Sequence, residues 1–355
     1  MKTRNSLAII VLCLLMNVSL FAIPIGTWSV HLPYYQCKSL TGNSTHVWAS
    51  TDNSLFRLNK SDFSTERITK IEGLSDLTIG TVAYNPANGV LVVGYQNGNL
   101  DLIKGNKVIN LPDIKRSQIV ADKSINEIFF IGSLAYLSTG FGIIVVDTDR
   151  NEIKDTYLIG PNGGYLGVHD ITSDGVSIYA ATSTGIYTAN LNNPFLANYT
   201  SWTQFSGIPV GIYNCIALIG SKMVVNLSRY QMSQGFNLDE VYYFDFSTST
   251  WDTLPGWYGG HSVKKFSVLN DRLWIADWFG LVQFDTNLTD LGPWYTMGNN
   301  VFLFPNDLLP DTDGSIWYAD VVPDWGALRC RKCEVADCAQ SYCCVCVIVK
   351  LETES

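Results

Sequence analysis

Charge is scarce in this chain. Asp, Glu, Lys and Arg make up 15% of its 355 residues, against about 25% in an ordinary soluble domain. The balance is acidic, −9, and no basic stripe is present. Nothing could displace counterions from a phosphate backbone, which excludes nucleic acid as a partner. Histidine is scarcer still. His31, His46, His169 and His261 never fall at a metal-ligand spacing, and no calcium loop of the DxDxDG kind occurs. No metal, no cofactor and no catalytic residue is expected. No apolar run reaches the roughly 20 residues of a spanning helix, and no long amphipathic helical period appears. Between residue 23 and Trp325 the only cysteines are Cys37 and Cys215, which read as buried free thiols rather than a disulfide framework.

What is present is apolar, aromatic and turn-rich, at 47% hydrophobic and 12% aromatic with 29 Gly. Residues 1–22 read as a secretory leader: Lys2 and Arg4, the apolar run Leu7–Leu15, then small or apolar residues to Ala22. Secretion across the inner membrane, to the periplasm or the outer cell surface, is therefore expected.

A repeat organises residues 23–328. Ser124–Gly160 shows it best, as four short strands at Asn126–Ile131, Leu134–Ser138, Ile143–Asp147 and Glu152–Ile159. The second and third are apolar almost throughout, as in strands covered on both faces. The fourth mixes Glu152, Lys154 and Asp155 with Ile153 and Tyr157, as an outer strand should. Equivalent positions recur at Trp48, Leu91, Tyr136, Tyr179, Val224, Trp274 and Trp317, with spacings of 43, 45, 43, 45, 50 and 43. A period of about 40–45 residues with four strands each is that of a propeller blade. The expectation is an all-β, seven-bladed β-propeller with four-stranded blades, closed by Ile25–Leu32 as an outer strand of the last blade. The last blade's third strand is expected near Trp325–Leu328. Asp147, Asp245 and Asp285 follow the third strand at one equivalent place and read as turn caps.

Ligands of propellers meet the loops after the second strand and between blades, at one mouth of the ring. Those loops offer Tyr95, Phe141, Arg229, Tyr230, Trp278 and Phe279 as ligand-binding candidates, and the spacing of 50 marks an enlarged loop, Ser228–Glu240. Aromatic faces suit sugar rings and Arg229 suits an anionic group. Lys115, Arg116 and Lys123 are the densest basic group and the candidate contact for a partner.

From Gly73 onward the sequence becomes specific. GLSD at Gly73–Asp76, the stretch Tyr84–Ile103, Leu111–Asp147, Glu152–Gly163 and Ile178–Leu191 resemble the N-terminal propeller of the PorZ family, a component of the type IX secretion system of Bacteroidetes. The likeness covers roughly Gly26–Trp202; beyond it only the blade rhythm persists. The resemblance implies a non-enzymatic scaffold of an attachment complex. Its implied partners are a sortase-like protease, outer-membrane barrel proteins and anionic lipopolysaccharide. Family members carry a second propeller and a sorting domain, which this sequence does not show. The alternative is the propeller sensor module of a glycan-responsive two-component system.

Residues 329–355 break the rhythm. Cys330, Cys333, Cys338, Cys343, Cys344 and Cys346 arrive within 17 positions. CRKC has the spacing of a zinc or redox site, but no second CxxC follows. The segment reads as an aberrant, unstructured tail from a shifted frame, with a metal-binding or disulfide tail as the alternative.

Overall fold

The computed structural model describes residues 37–229, 238–257, 262–278, 280–292, 305–320 and 347–351. The leader, Ile25–Leu32, most of the enlarged loop, Trp325–Leu328 and the six tail cysteines lie outside the described residues.

Alternating apolar strands stopped by Gly, Asn and Asp turns produce antiparallel sheets in chain order. Blade 1 is Ser39–Gly42, His46–Ser50, Leu55–Asn59 and Thr65–Ile68. Blade 2 is Ile79–Asn85, Val90–Tyr95, Leu100–Lys104 and Lys107–Leu111. Blade 3 is Ile125–Ile131, Leu134–Thr139, Gly142–Asp147 and Glu152–Tyr157, within a residue or two of the expected strands. Blade 4 is Val168–Ser173, Ser177–Thr182, Gly185–Asn190 and Thr203–Gln204. Blade 5 is Tyr213–Ile219, Lys222–Leu227, Glu240–Asp245 and Thr250–Thr253. Blade 6 has three described strands, Lys265–Leu269, Arg272–Asp277 and Gly280–Phe284.

The expectation of seven contiguous four-stranded blades is corrected here to six contiguous blades, five of them four-stranded. A further sheet joins Pro305–Pro310 and Ile316–Asp320 to Val347–Leu351. Its third strand comes from beyond residue 328, from VIVKL, a short apolar run rich in β-branched residues.

The seven marker residues all lie on second strands, and none is more than 8% exposed. They pack between sheets. Tyr136 of blade 3, for instance, shares one apolar cluster with Ile171, Ile178 and Ala180 of blade 4. Full burial of each such side chain is worth about 1.5–3 kcal/mol. A blade is thus stabilised by its neighbour rather than by itself. The first strand of each sheet packs on the first strand of the next, and that of the last sheet packs on Ser39–Gly42. Three polar contacts join the last sheet to blade 1. Asp307 Oδ2 accepts from Leu40 N at 2.7 Å, Asn306 Nδ2 donates to Cys37 O at 3.0 Å, and Lys60 pairs with Asp311 at 2.6 Å.

The turn aspartates cap as expected. Asp147 Oδ1 accepts from the backbone of Asp149 and Arg150, Asp245 Oδ1 from Ser247, and Asp285 Oδ1 from Asn287 and Thr289. Cys37 and Cys215 are buried free thiols. Burial raises the Cys215 thiol well above its ordinary range, so it is unreactive.

Candidate functional site

Around the axis, the first strands carry a repeated irregularity. The pairing with the second strand slips at Gly80, Asn126, His169, Asn214 and Asn306. Such a bulge turns one extra side chain away from the sheet. Lys264, just ahead of blade 6's first strand, holds the same place: its N–H donates to Ala276 O at 2.8 Å. In blades 3 to 6 this position lies ten residues before the marker. Gly80 has no alternative, because a Cβ there would come within 2.6 Å of Ile125 O.

The bulge residues of blades 2 to 6 open into a polar well of about 580 Å³ at the mouth formed by the loops after second strands and between blades, within the size range of ligand sites. Gln96, Asp122 and Glu127 complete its wall with Asn126, His169, Asn214 and Lys264. The two asparagines are structural as well as lining. Asn126 Nδ2 donates to Val168 O and Asn214 Nδ2 to Val263 O, both at 2.7 Å, clasping each blade to the next. His169 Nε2 meets Ser183 Oγ at 3.0 Å, and burial holds the ring below its usual range, with Asp122 opposing. Lys264 donates to Ser262 Oγ at 2.8 Å and lies 5.4 Å from the Trp278 ring centre. Burial lowers this ammonium too, with Asp239 and Cys215 opposing.

Charges from opposite sides of the ring meet in the same axial region. Lys265 of blade 6 pairs with Glu127 of blade 3, side chains 22% and 23% exposed. Burial disfavours the Lys265 ammonium, but Glu127, Asp307 and Asp170 outweigh it and raise its affinity for the proton. Burial pushes Asp307 up to about 6 and raises Asp170, with Lys265 opposing in both. Asp170 Oδ2 accepts from Ile216 N at 2.9 Å, joining blades 4 and 5 as Asp307 joins the last sheet to blade 1.

The expected ligand residues divide. Arg229 and Trp278 reach the mouth. Arg229 is exposed and pairs with Glu240 at 3.2 Å. Trp278 is 37% exposed beside Lys264. Tyr95 and Phe141 are corrected: both are 0% exposed and face the core. The Tyr95 hydroxyl donates to Asp101 Oδ2 at 2.6 Å, and burial drives its proton affinity up. Phe141 packs among the apolar residues between blades 2 and 3, edge-on to Tyr165. Tyr230 and Phe279 lie outside the described residues.

The basic candidates sit between blades 2 and 3, and two of them have internal roles. Lys115 binds Asp76 at 2.5 Å, and Lys123 donates to Ser117 O at 2.7 Å and Lys115 O at 3.2 Å. Arg116 is exposed. Asp76, last residue of GLSD, also accepts from Asn97 at 2.8 Å. Burial opposes its charge, but Lys115, Asn97 and the backbone prevail and hold it down at about 2. GLSD is thus a clamp on the loop between blades 1 and 2.

The sequence reading missed the bulge residues and the axial charges. The signal was there, a polar residue ten positions before each marker in blades 3 to 6, and it becomes visible once the strand pairing is known.

Residues 47–203 match the family described as the N-terminal β-propeller domain of PorZ of the type IX secretion system. No curated protein matches the chain. Among solved structures, PorZ, a surface component of the type IX secretion system of Porphyromonas gingivalis, aligns at 19% identity with a TM-score of 0.53, over 83% of this chain and 43% of that one. A protein described as the extracellular domain of a hybrid two-component system from B. thetaiotaomicron aligns at 16% identity and 0.60, over 82% and 39%. A chain of the mitotic checkpoint complex aligns at 10% identity and 0.58, over 86% and 96%. At such identities the structures speak for the fold, and the chain spans less than half of the first two. Over residues 47–203, then, the chain matches the PorZ N-terminal β-propeller family model, in line with the resemblance of the motifs from Gly73 onward.

Proposed function

We propose that this chain is a non-enzymatic binding and scaffolding module of type IX secretion, working in the periplasm or at the outer cell surface. It contacts attachment-complex proteins, a sortase-like protease and barrel proteins, through the mouth of the ring. Anionic lipopolysaccharide is the proposed ligand of the same face. One observation carries this reading. On the loops entering blades 3, 4 and 5, Val120 is 90% exposed, Tyr165 50%, Val210 80% and Ile212 46%, and blade 6 adds Trp278 at 37%. Each of the first four stands a few residues before a well-lining residue of its blade. An apolar arc around a polar centre is how a protein-binding face differs from ordinary surface.

The test is a binding measurement with purified partners and a Val120→Asp, Val210→Asp double variant. Both residues are solvent-facing, so the melting temperature should hold while partner affinity falls tenfold or more. Unchanged affinity for every partner overturns the use of this face. A sensor module is the second reading, supported by the fold likeness to the two-component extracellular domain. It predicts a free glycan ligand and no attachment-complex partner.

A further inference from the structure

The bulge position alternates in chemistry around the ring: Asn126, His169, Asn214, Lys264 and Asn306 in successive sheets, then Lys38 at the start of blade 1. The three asparagines are occupied, each clasping the backbone of the next sheet at Val168, Val263 and Cys37. Lys38 pairs with Asp52. That leaves His169 and Lys264 as the bulge side chains whose chemistry the fold does not use up. Among the described residues, the His169 ring bonds only through Nε2, to a serine, and the Lys264 ammonium donates only to a serine. Lys264 is half-buried and has no carboxylate within ion-pair distance among the described residues, whereas Lys265 beside it has Glu127. A half-buried ammonium facing a cavity, beside an aromatic ring and with no carboxylate paired to it among the described residues, can take an anion from solution.

We propose that the axial well holds a binding site for a single carboxylate, with Lys264 supplying the charge, Trp278 an apolar face beside that ammonium, and His169 a hydrogen bond from blade 4. The inference rests on the mouth being the binding face. A carboxylate fits better than a phosphate. One ammonium balances one negative charge, and Asp122 and Glu127 in the same wall repel a second. His169 stays a neutral donor, since burial disfavours its cation. A sugar acid or the acidic side chain of a peptide presents this chemistry equally.

The experiment is calorimetric titration of the full chain with sodium glucuronate, glucose, N-acetyl-aspartate methylamide and inorganic phosphate. Saturable glucuronate binding is expected, with glucose at least tenfold weaker and phosphate weaker than glucuronate. Lys264→Met should weaken glucuronate tenfold or more, Lys264→Arg should retain most of it, and His169→Gln or Trp278→Phe should cost a few-fold. The aspartate probe distinguishes the sources: binding on a par with glucuronate assigns the site to acidic side chains generally, and much weaker binding assigns it to sugar acids. If neither carboxylate binds folded protein, or Lys264→Met and His169→Gln both bind as the parent does, the inference falls. Should the carboxylates fail while partner affinity still depends on Val120 and Val210, the proposed function stands without this site. Carboxylate binding with no partner affinity would leave the site and remove the scaffold.

Discussion

Lys264 and Lys265 are neighbours in sequence and opposites in surroundings. Lys265 reaches a region crossed by three carboxylates from three other sheets, which raise its proton affinity against the cost of burial. Lys264 opens into the well beside Trp278 and the Ser262 hydroxyl, and burial lowers it. One residue of displacement separates a charge that holds the ring together from a charge left for a ligand. The bulge supplies one extra residue ahead of the paired strand, so a propeller's inner strand can serve both purposes at once.

The sharpest way to break this contrast is Lys265→Met. It strands Glu127 in a region already disfavouring charge, and a loss of about 3 kcal/mol is expected, at the low end for a broken buried pair because both side chains keep some solvent access. Urea unfolding measures it; a loss under 1 kcal/mol would mean the axial charges are solvated and the contrast unfounded. Asp307→Asn is expected to cost about 1–2 kcal/mol, because an amide NH₂ replaces one of two oxygens that accept backbone N–H bonds. Its pH dependence is diagnostic. Asp307 has a folded value raised from 3.8 to about 6. The folded state therefore holds the proton more tightly, and this group's contribution is full below about pH 4 and lost as pH rises through 6. The gap in melting temperature between parent and variant should be widest near pH 4 and narrow by pH 7; a constant gap contradicts the raised value. Lys264→Met is expected to move stability least, within about 0.5 kcal/mol, while altering carboxylate binding most. Destabilisation comparable to Lys265→Met would make Lys264 a structural residue after all.

Much of the fold was legible because a blade is a local object. Strands, turns and capping aspartates lie within 45 residues of one another, and the marker residues declare themselves by burial. The site was less legible because its chemistry is assembled across the ring. Glu127 and Lys265 are 138 positions apart, and nothing in either neighbourhood announces the other. Tyr95 and Phe141 were misjudged from position alone: an aromatic after a second strand looks like a loop residue, yet Tyr95 finds Asp101 six residues on and turns inward. Lys115 looked available because its partner Asp76 lies 39 positions earlier, inside a motif recognised for family rather than for charge.

The bonds from Asp307 to Leu40 and from Asn306 to Cys37 join residues 267 and 269 positions apart. A chain that emerges from its N-terminus can build blade after blade, each resting on the one before, but blade 1 keeps one bare flank until the last sheet arrives. Closure is a non-local event, slow by its loop entropy. Until then the half-built ring presents an adhesive apolar flank to any chaperone, or any second copy, within reach.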